Sequence, residues 1–95
     1  MIYELEFLPS ALKEWKKLSG NIRFDFQKKL RERLRNPRVP SAKLSGLPDC
    51  YKIKLKSAGY RLVYRVIDNK VIVQVVAIGR RERNEVYRSA AKRVS

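Results

Sequence analysis

Three runs of alternating apolar and polar residues dominate the second half of the chain, between Tyr51 and Gly79. Two short polar breaks separate them, Ser57-Ala58-Gly59 and Asp68-Asn69-Lys70. Alternation with a period of two residues is typical of β-strands, so this pattern predicts an antiparallel three-stranded meander. The third run, Val71 to Ile78, is apolar at nearly every position. It is therefore expected at the centre of the sheet, covered on both faces.

The first two runs carry cations at alternating positions. Lys52, Lys54 and Lys56 share one face of the first run, and Arg61 and Arg65 share one face of the second. An even-numbered loop would pair Lys56 with Arg61, Lys54 with Val63 and Lys52 with Arg65, and would place all five cations on one face; a three-residue loop would place the arginines on the opposite face. We expect the even loop. Because like charges across a sheet are destabilising, such a face indicates that an anion binds there.

The first third of the chain predicts a strand and two helices. Residues Ile2 to Leu8 alternate as in a strand with one wet face. The next apolar positions recur every three or four residues and predict a helical hairpin; they are Ala11, Leu12, Trp15 and Leu18 in the first helix and Ile22, Phe26, Leu30 and Leu34 in the second. Trp15 is expected in the core. The intervening Lys28, Lys29, Arg31, Arg33 and Arg35 are expected to face water.

The end of the chain, from Asn84 to Val94, predicts a short and weakly amphipathic helix. The whole order is strand, helix, helix, three strands and helix. It predicts one α+β domain over residues 1–95, in which the N-terminal helical hairpin packs on one face of a small antiparallel sheet.

Charge narrows the range of functions. The chain of 95 residues has 23 Lys and Arg against 9 Asp and Glu, a net charge of +14, and most of the excess follows residue 36. This imbalance favours a polyanionic partner such as nucleic acid, or an acidic protein. A single cysteine, Cys50, excludes an internal disulfide, and the absence of histidine leaves no metal-ligand cluster. We expect no cofactor, no membrane association and a cytoplasmic location, since neither a membrane span nor a secretory signal is visible.

The chemistry available to such a protein rests on Lys, Arg and Tyr. Arginines can stabilise the charge of a phosphorane-like transition state, and a lysine whose pKa is lowered by neighbouring cations can protonate a leaving oxygen. Composition alone favours a simpler interpretation, in which a basic face binds RNA without cleaving it. Catalysis by the same face is the alternative interpretation.

Four segments carry a resemblance to a known family. They are Ala11 to Leu18, Lys43 to Leu55, the motif Gly59-Tyr60-Arg61-Leu62-Val63-Tyr64, and Gly79 to Tyr87. Together they resemble the RelE toxins of bacterial and archaeal toxin–antitoxin pairs, and the resemblance extends over essentially the whole chain. The hexapeptide marks the broader RelE/ParE superfamily, whereas the lysine pair before it and the Arg and Tyr after the last strand are specific to the RNA-cleaving branch.

The resemblance implies a RelE-like, microbial RNase-like fold and a ribosome-dependent endoribonuclease that cuts mRNA in the aminoacyl site. The ribose 2′-hydroxyl would attack the adjacent phosphate. By this resemblance the catalytic positions are Lys52, Lys54, Arg61, Arg81 and Tyr87. The two arginines would stabilise the phosphate, Lys54 would be the general acid, Lys52 would add charge, and Tyr87 would stack on a base and orient or deprotonate the 2′-hydroxyl. Further RNA contacts are expected from Lys56, Arg65, Arg80 and Arg83.

The same resemblance implies partners and leaves two alternatives. An acidic RelB-like antitoxin is expected, together with the ribosome, its rRNA and mRNA; operator DNA would be bound only through the toxin–antitoxin complex, which would repress its own operon. One alternative is a non-catalytic RNA- or ribosome-binding module. The other is a ParE-like toxin that inhibits gyrase.

Overall fold

The chain folds into one four-stranded sheet with helices on both faces. The computed structural model describes residues 1–94 apart from the side chain of Arg83. The regular elements are strand β1 (Glu4–Phe7), helices α1 (Pro9–Lys16) and α2 (Gly20–Arg35), strands β2 (Cys50–Leu55), β3 (Tyr60–Ile67) and β4 (Ile72–Arg80), and helix α3 (Glu85–Val94). This order confirms the α+β class and the element sequence that the polarity pattern predicts.

The strands lie in the order β1-β4-β3-β2, so β4 is an inner strand as expected. The β2, β3 and β4 strands form the predicted antiparallel meander. In addition, β1 pairs with β4 in the parallel direction, from Glu4 opposite Ile72 to Phe7 opposite Val75. The sheet is therefore mixed. Alternating polarity is the same in parallel and antiparallel strands, which is why the pattern did not reveal this pair.

The larger core lies between the sheet and the helices α1 and α2. Phe26 and Leu30 of α2 are 0% and 1% exposed, and they pack with sheet residues such as Tyr64. Trp15 packs against this core with ring centroids 5.3 Å from Phe7 and 6.4 Å from Phe26, which confirms its predicted core role. Both helices thus cover the same face of the sheet, as the hairpin prediction requires.

The smaller core lies on the opposite face, under α3. Val86 and Ala90 of this helix pack with Cys50, Val63 and the adjacent β4 residues Val76 and Ala77. Two consecutive β4 residues share this face because the β3–β4 register shifts between Val63 and Tyr64. The α3 helix lies mainly over β4 and partly over β3. On this face of the edge strand β2, Cys50 is buried, Lys52 is half-buried and Lys54 is exposed.

The turn between β2 and β3 sets which cations meet. The last pair before the turn is Leu55 with Tyr60, which leaves an even loop of residues 56–59. Gly59 has φ of +70°, and its N–H donates to the carbonyl of Leu55 at 2.9 Å. The parity of the predicted loop is therefore correct. The predicted pairs are wrong by two residues, because the turn closes at Leu55: Lys54 lies opposite Arg61, and Lys52 opposite Val63.

At the other end of the sheet, Arg38 joins the loop after α2 to the strand ends. Its guanidinium reaches Asp68 at 2.6 Å and Asp49 at 3.0 Å, and it donates to the hydroxyl of Tyr51 at 3.3 Å. The hydroxyl of Tyr3 donates to the second oxygen of Asp68 at 2.7 Å. We call these five residues the Arg38 network. None of the helices in residues 1–94 combines the length and the hydropathy needed to span a bilayer.

Candidate active site

Three of the predicted catalytic residues lie together on the α3 face of the sheet. Lys54 is directly opposite Arg61, and Lys52 is two positions further along β2 on the same face. We call Lys52, Lys54 and Arg61 the cation cluster. Arg61 is only 8% exposed because it lies between β2 and β4, where its partner on β4 is Gly79. The two lysines lie on the edge strand β2, where Lys52 is half-buried and Lys54 is exposed.

The cluster holds positive charge that the described part of the chain does not neutralise. Within residues 1–94, none of its three cations forms a salt bridge. The charge of Lys52 lowers the pKa of the Lys54 ammonium below its ordinary value, with smaller contributions from desolvation and from Arg61. Lys54 is thereby a better proton donor than an isolated lysine. An oxyanion placed between Lys54 and Arg61 would relieve the repulsion between them.

The turn between β2 and β3 brings two more predicted residues to this end of the sheet. The backbone N–H of Arg81 donates to the carbonyl of Gly59 at 2.9 Å, which fixes the residue after β4 beside the turn. The side chain of Arg81 is exposed. Lys56, within the turn, is exposed and also contributes to lowering the pKa of Lys54. Lys56 therefore borders the cation cluster, and the backbone of Arg81 lies at the same end of the sheet.

Tyr87 lies in the first turn of α3. Its neighbour Val86 is buried in the smaller core, and Tyr87 itself is half-buried against that core. Gly79, the β4 partner of Arg61, lies under this helix, since a Cβ on it would be 3.7 Å from the Cβ of Val86. The first turn of α3 is thus anchored beside Arg61. Packing accounts for part of the Tyr87 side chain and leaves part of it accessible.

Two of the remaining predicted RNA contacts, Arg65 and Arg80, lie away from the cation cluster. Arg65 is on the same face as Arg61, but four residues along β3 place it about 13 Å away, next to Cys50. Arg80 pairs with Tyr60, and its guanidinium lies 5.1 Å from the centre of that ring, beside the larger core on the other face. The side chain of Arg83 lies outside the described part of the structure, so its predicted role stays a prediction.

Sequence reasoning missed the contribution of α2. Arg33 was expected to face water, which is wrong: it is half-buried and donates from Nη1 to the carbonyl of Lys52 at 3.1 Å and to the hydroxyl of Tyr64 at 2.9 Å. Lys28 and Lys29 are exposed as expected, but they line a cavity together with Lys54. The spacing of Lys29 and Arg33, four residues apart on one side of α2, was the available signal.

Cys50, the one cysteine, is fully buried, and burial raises the pKa of its thiol. A buried thiol with a raised pKa is a poor nucleophile. The chemistry of this site therefore rests on ammonium, guanidinium and phenol groups. Such a set can stabilise a transition state with pentacoordinate phosphorus and can transfer protons to and from ribose oxygens.

Comparison with known proteins defines the class of protein to which this fold and site belong. The family model described as the ParE toxin of the type II toxin–antitoxin system parDE matches residues 5–85. The chain therefore belongs to the RelE/ParE superfamily of type II toxins.

Its relatives place it in the RelE branch. It is 57% identical over 94 residues to the "mRNA interferase toxin RelE" of Escherichia coli (strain K12), with 99% of each chain covered. The free R81A/R83A mutant of E. coli toxin RelE has a TM-score of 0.93 and 55% identity, with all of both chains covered. A RelE chain in the intact E. coli RelBE toxin–antitoxin complex has a TM-score of 0.82 and 57% identity, with 85% of this chain and 99% of that chain covered. These matches confirm the RelE resemblance that the sequence motifs indicate.

Proposed function

We propose that this protein is the toxin of a type II toxin–antitoxin pair and acts as a metal-independent, ribosome-dependent mRNA interferase. The observation that carries the proposal is the cation cluster. In it, Lys54 on β2 lies directly opposite Arg61 on the adjacent strand β3, and neither has a carboxylate partner in residues 1–94. Like charges placed across a sheet reduce stability. An anionic substrate, and above all the more highly charged transition state of phosphoryl transfer, offsets that cost.

The proposed reaction is an internal transfer within the RNA strand. The ribose 2′-oxygen attacks the adjacent phosphorus and the bond to the 5′-oxygen breaks, which leaves a 2′,3′-cyclic phosphate and a 5′-hydroxyl. Arg61 and Arg81 stabilise the additional negative charge, and Lys52 adds to the field. Lys54 donates its proton to the departing 5′-oxygen, and its lowered pKa favours that transfer. Tyr87 stacks on a base and orients the 2′-hydroxyl or accepts its proton.

The ribosome supplies what this site lacks. The set contains no histidine, so its acid and base are weak at neutral pH. A codon held in the aminoacyl site with its 2′-hydroxyl aligned to the phosphate gains the rate advantage of fixed geometry. We therefore expect little cleavage of free RNA. The net charge of +14 steers the protein to the ribosome, and binding weakens steeply as the salt concentration rises.

The net charge of +14 also favours an acidic, RelB-like antitoxin as the partner. The α3 helix contributes few side chains to the smaller core, chiefly Val86 and Ala90, so a competing antitoxin helix can displace it and remove Tyr87 from the site. Operator DNA is bound through the toxin–antitoxin complex, which represses its own operon. The protein acts as one domain in the cytoplasm, where its ribosomes are.

Primer extension on a defined mRNA, with and without programmed bacterial ribosomes, tests the proposal. Wild-type protein is expected to cut only within the aminoacyl-site codon and only when ribosomes are present. Arg81→Ala should abolish the cuts. Arg31→Ala removes the same charge from an exposed position of α2 beside Leu5, away from the cation cluster, and should retain most of the activity. Equal losses in both variants, or an intact mRNA with bound wild-type protein, would contradict catalysis at this site.

A module that only binds RNA remains the second candidate, because an unpaired basic surface is also what such a module needs. The two functions differ at Tyr87. Tyr87→Phe keeps the ring and its packing but removes the hydroxyl, so it should abolish cleavage by an enzyme and leave a binding module nearly unaffected. A DNA-supercoiling assay with gyrase covers the ParE alternative, and we expect no inhibition.

A further inference from the structure

We propose that the groove between α2 and β2 is a second binding site, for the phosphates of an RNA backbone outside the scissile codon. We call it the α2–β2 groove. Its cationic lining consists of Lys28, Lys29 and Arg33 from α2 and Lys52, Lys54 and Lys56 from β2 and the turn after it. The inference rests on the proposed function, because it assumes that the cation cluster handles RNA. It adds the α2 side of the groove, with Lys28, Lys29 and Arg33, which the catalytic assignments do not include.

The groove is formed by two adjoining cavities, of about 720 and 300 Å³, which share Lys29, Lys54 and Lys56 as lining residues. The lysines of β2 and its turn, from Lys52 to Lys56, extend along about 13 Å of edge strand, long enough to follow several phosphates. Lys52 and Lys54 belong to the cation cluster as well. An RNA strand can therefore continue from the cluster into the groove without leaving positively charged surface.

The charge of the groove is largely unpaired. Two carboxylates, Asp25 and Glu32, lie at the larger cavity, whereas the smaller cavity has five cations and no acid among its lining residues. Within the described part of the chain, none of the six cations forms a salt bridge. Crowding of this kind reduces stability unless an external anion binds.

Arg33 gives the groove a fixed anion-binding group. Its Nη1 is held by the carbonyl of Lys52 and the hydroxyl of Tyr64, and that hydroxyl donates in turn to the carbonyl of Pro37 at 2.6 Å. A guanidinium has five N–H donors, so those on Nε and Nη2 are not used by these bonds. A preorganised guanidinium with free donors is suited to bidentate contact with a phosphate.

The lining favours RNA over an acidic protein segment. Its apolar residues Ala42, Ile53 and Leu55 are 6%, 0% and 7% exposed, so they offer no pocket for the apolar anchors of a peptide helix. A sugar–phosphate backbone needs no such pocket, because most of its affinity comes from phosphate contacts. The RNA has two possible sources, the mRNA beyond the cut codon and the rRNA around it.

The test compares two double variants that each remove two neighbouring exposed lysines. Lys28→Gln/Lys29→Gln alters the groove, and Lys16→Gln/Lys17→Gln is the matched control on and just after α1. Equilibrium binding to programmed ribosomes is measured over a range of salt concentrations. The groove variant should bind several-fold more weakly than the control, and the slope of log K against log salt should fall by about 1.4 to 1.8. The control should match the wild type.

Two kinds of ribosome complex identify the source of the RNA. One carries an mRNA that ends at the peptidyl-site codon, and the other an mRNA that continues through the aminoacyl site. A loss on both complexes assigns the groove to rRNA, and a loss only on the second assigns it to mRNA. If the groove variant binds like the control, or if it loses affinity only for the acidic antitoxin, the inference is overturned. Wild-type protein that binds without cutting would refute the proposed function and leave the groove assignment standing.

Discussion

The two ends of the sheet differ in whether carboxylates neutralise their cationic side chains. At one end, the guanidinium of Arg38 has two carboxylates and a phenol as partners, and the pKa of Asp68 is lowered chiefly by its hydrogen bonds from Arg38 and Tyr3. At the other end, Lys54 faces Arg61 with no acid partner in residues 1–94, and the pKa that shifts is that of a lysine.

This difference distinguishes charged residues that stabilise the fold, in the Arg38 network, from charged residues that are available to a ligand, in the cation cluster. The Arg38 network joins the loop after α2, the β2 start and the β3–β4 connection, so its charges are satisfied within the folded chain. The charges of the cation cluster are satisfied only when something anionic binds. Mutations at the two ends should therefore have reciprocal effects on stability and on cleavage.

Among substitutions in the cation cluster and the Arg38 network, the largest effect is expected for Arg61→Met. The substitution keeps much of the buried aliphatic stem and removes the charge, so ribosome-dependent cleavage under single-turnover conditions should fall by about 10²- to 10³-fold, the usual cost of losing one transition-state donor. The melting temperature should stay level or rise, because repulsion with Lys54 disappears. A variant that unfolds, or that cleaves normally per folded molecule, would show that Arg61 is a structural residue.

Arg38→Met should give the reverse result. Its ion pairs are about half exposed to solvent, with side-chain exposures of 40% for Arg38 and 53% for Asp68, so each pair is screened. Losing the network should lower the free energy of unfolding by about 1 kcal/mol, or roughly 4–8 °C in melting temperature for a domain of this size. Cleavage at a temperature where both proteins are folded should remain within about twofold of wild type. A large loss of cleavage would remove the contrast between the two ends.

A smaller effect concerns acid pH. Because the pKa of Asp68 is lower in the folded protein than its value of about 3.9 in an unfolded chain, its contribution is fully present above that value and is lost as the pH falls through the folded pKa. Thermal unfolding of wild type and Asp68→Asn should therefore differ by a constant amount from pH 7 to about pH 5. The difference should shrink below about pH 4. A gap that persists in acid would indicate that the substituted amide disturbs packing instead.

The sequence predicted which face each cation occupies but not its partner across the strands. Face depends only on whether the loop is even, whereas pairing depends on where the turn closes, and the N–H of Gly59 closes it at Leu55. A register error of two residues keeps every side chain on its face, so the grouping of Lys52, Lys54 and Arg61 survived it. Arg65 lies on the predicted face but about 13 Å along β3 from Arg61, so its predicted RNA contact would be separate from the cation cluster and stays a prediction.

The pattern of apolar and polar residues could not predict contacts between segments that are distant in the sequence. The parallel direction of β1 depends on how α1 and α2 carry the chain, and the position of Arg33 depends on Tyr64 and the edge of β2. Helical periodicity places Arg33 on the polar side of α2 and does not indicate that β2 runs beside it. The catalytic roles themselves came from the family resemblance, and packing does not assign them.

The smallest expected effect is a shift in the alkaline limit of cleavage. A general acid must be protonated, so activity is present below the pKa of Lys54 and lost as the pH rises through it. Lys52 is the largest cause of the lowering of that pKa, and Lys56 is the smallest of the causes identified.

Lys52→Met should therefore move the alkaline limb of the single-turnover rate to higher pH. Lys56→Met should move it much less, although each substitution removes one charge. The rates themselves fall in the two variants for other reasons, so the midpoint of the limb is the quantity to compare. Equal shifts would mean that the total positive charge nearby, and not the adjacent ammonium of Lys52, sets the pKa of Lys54. A limb that does not move in either variant would mean that the proton comes from another group.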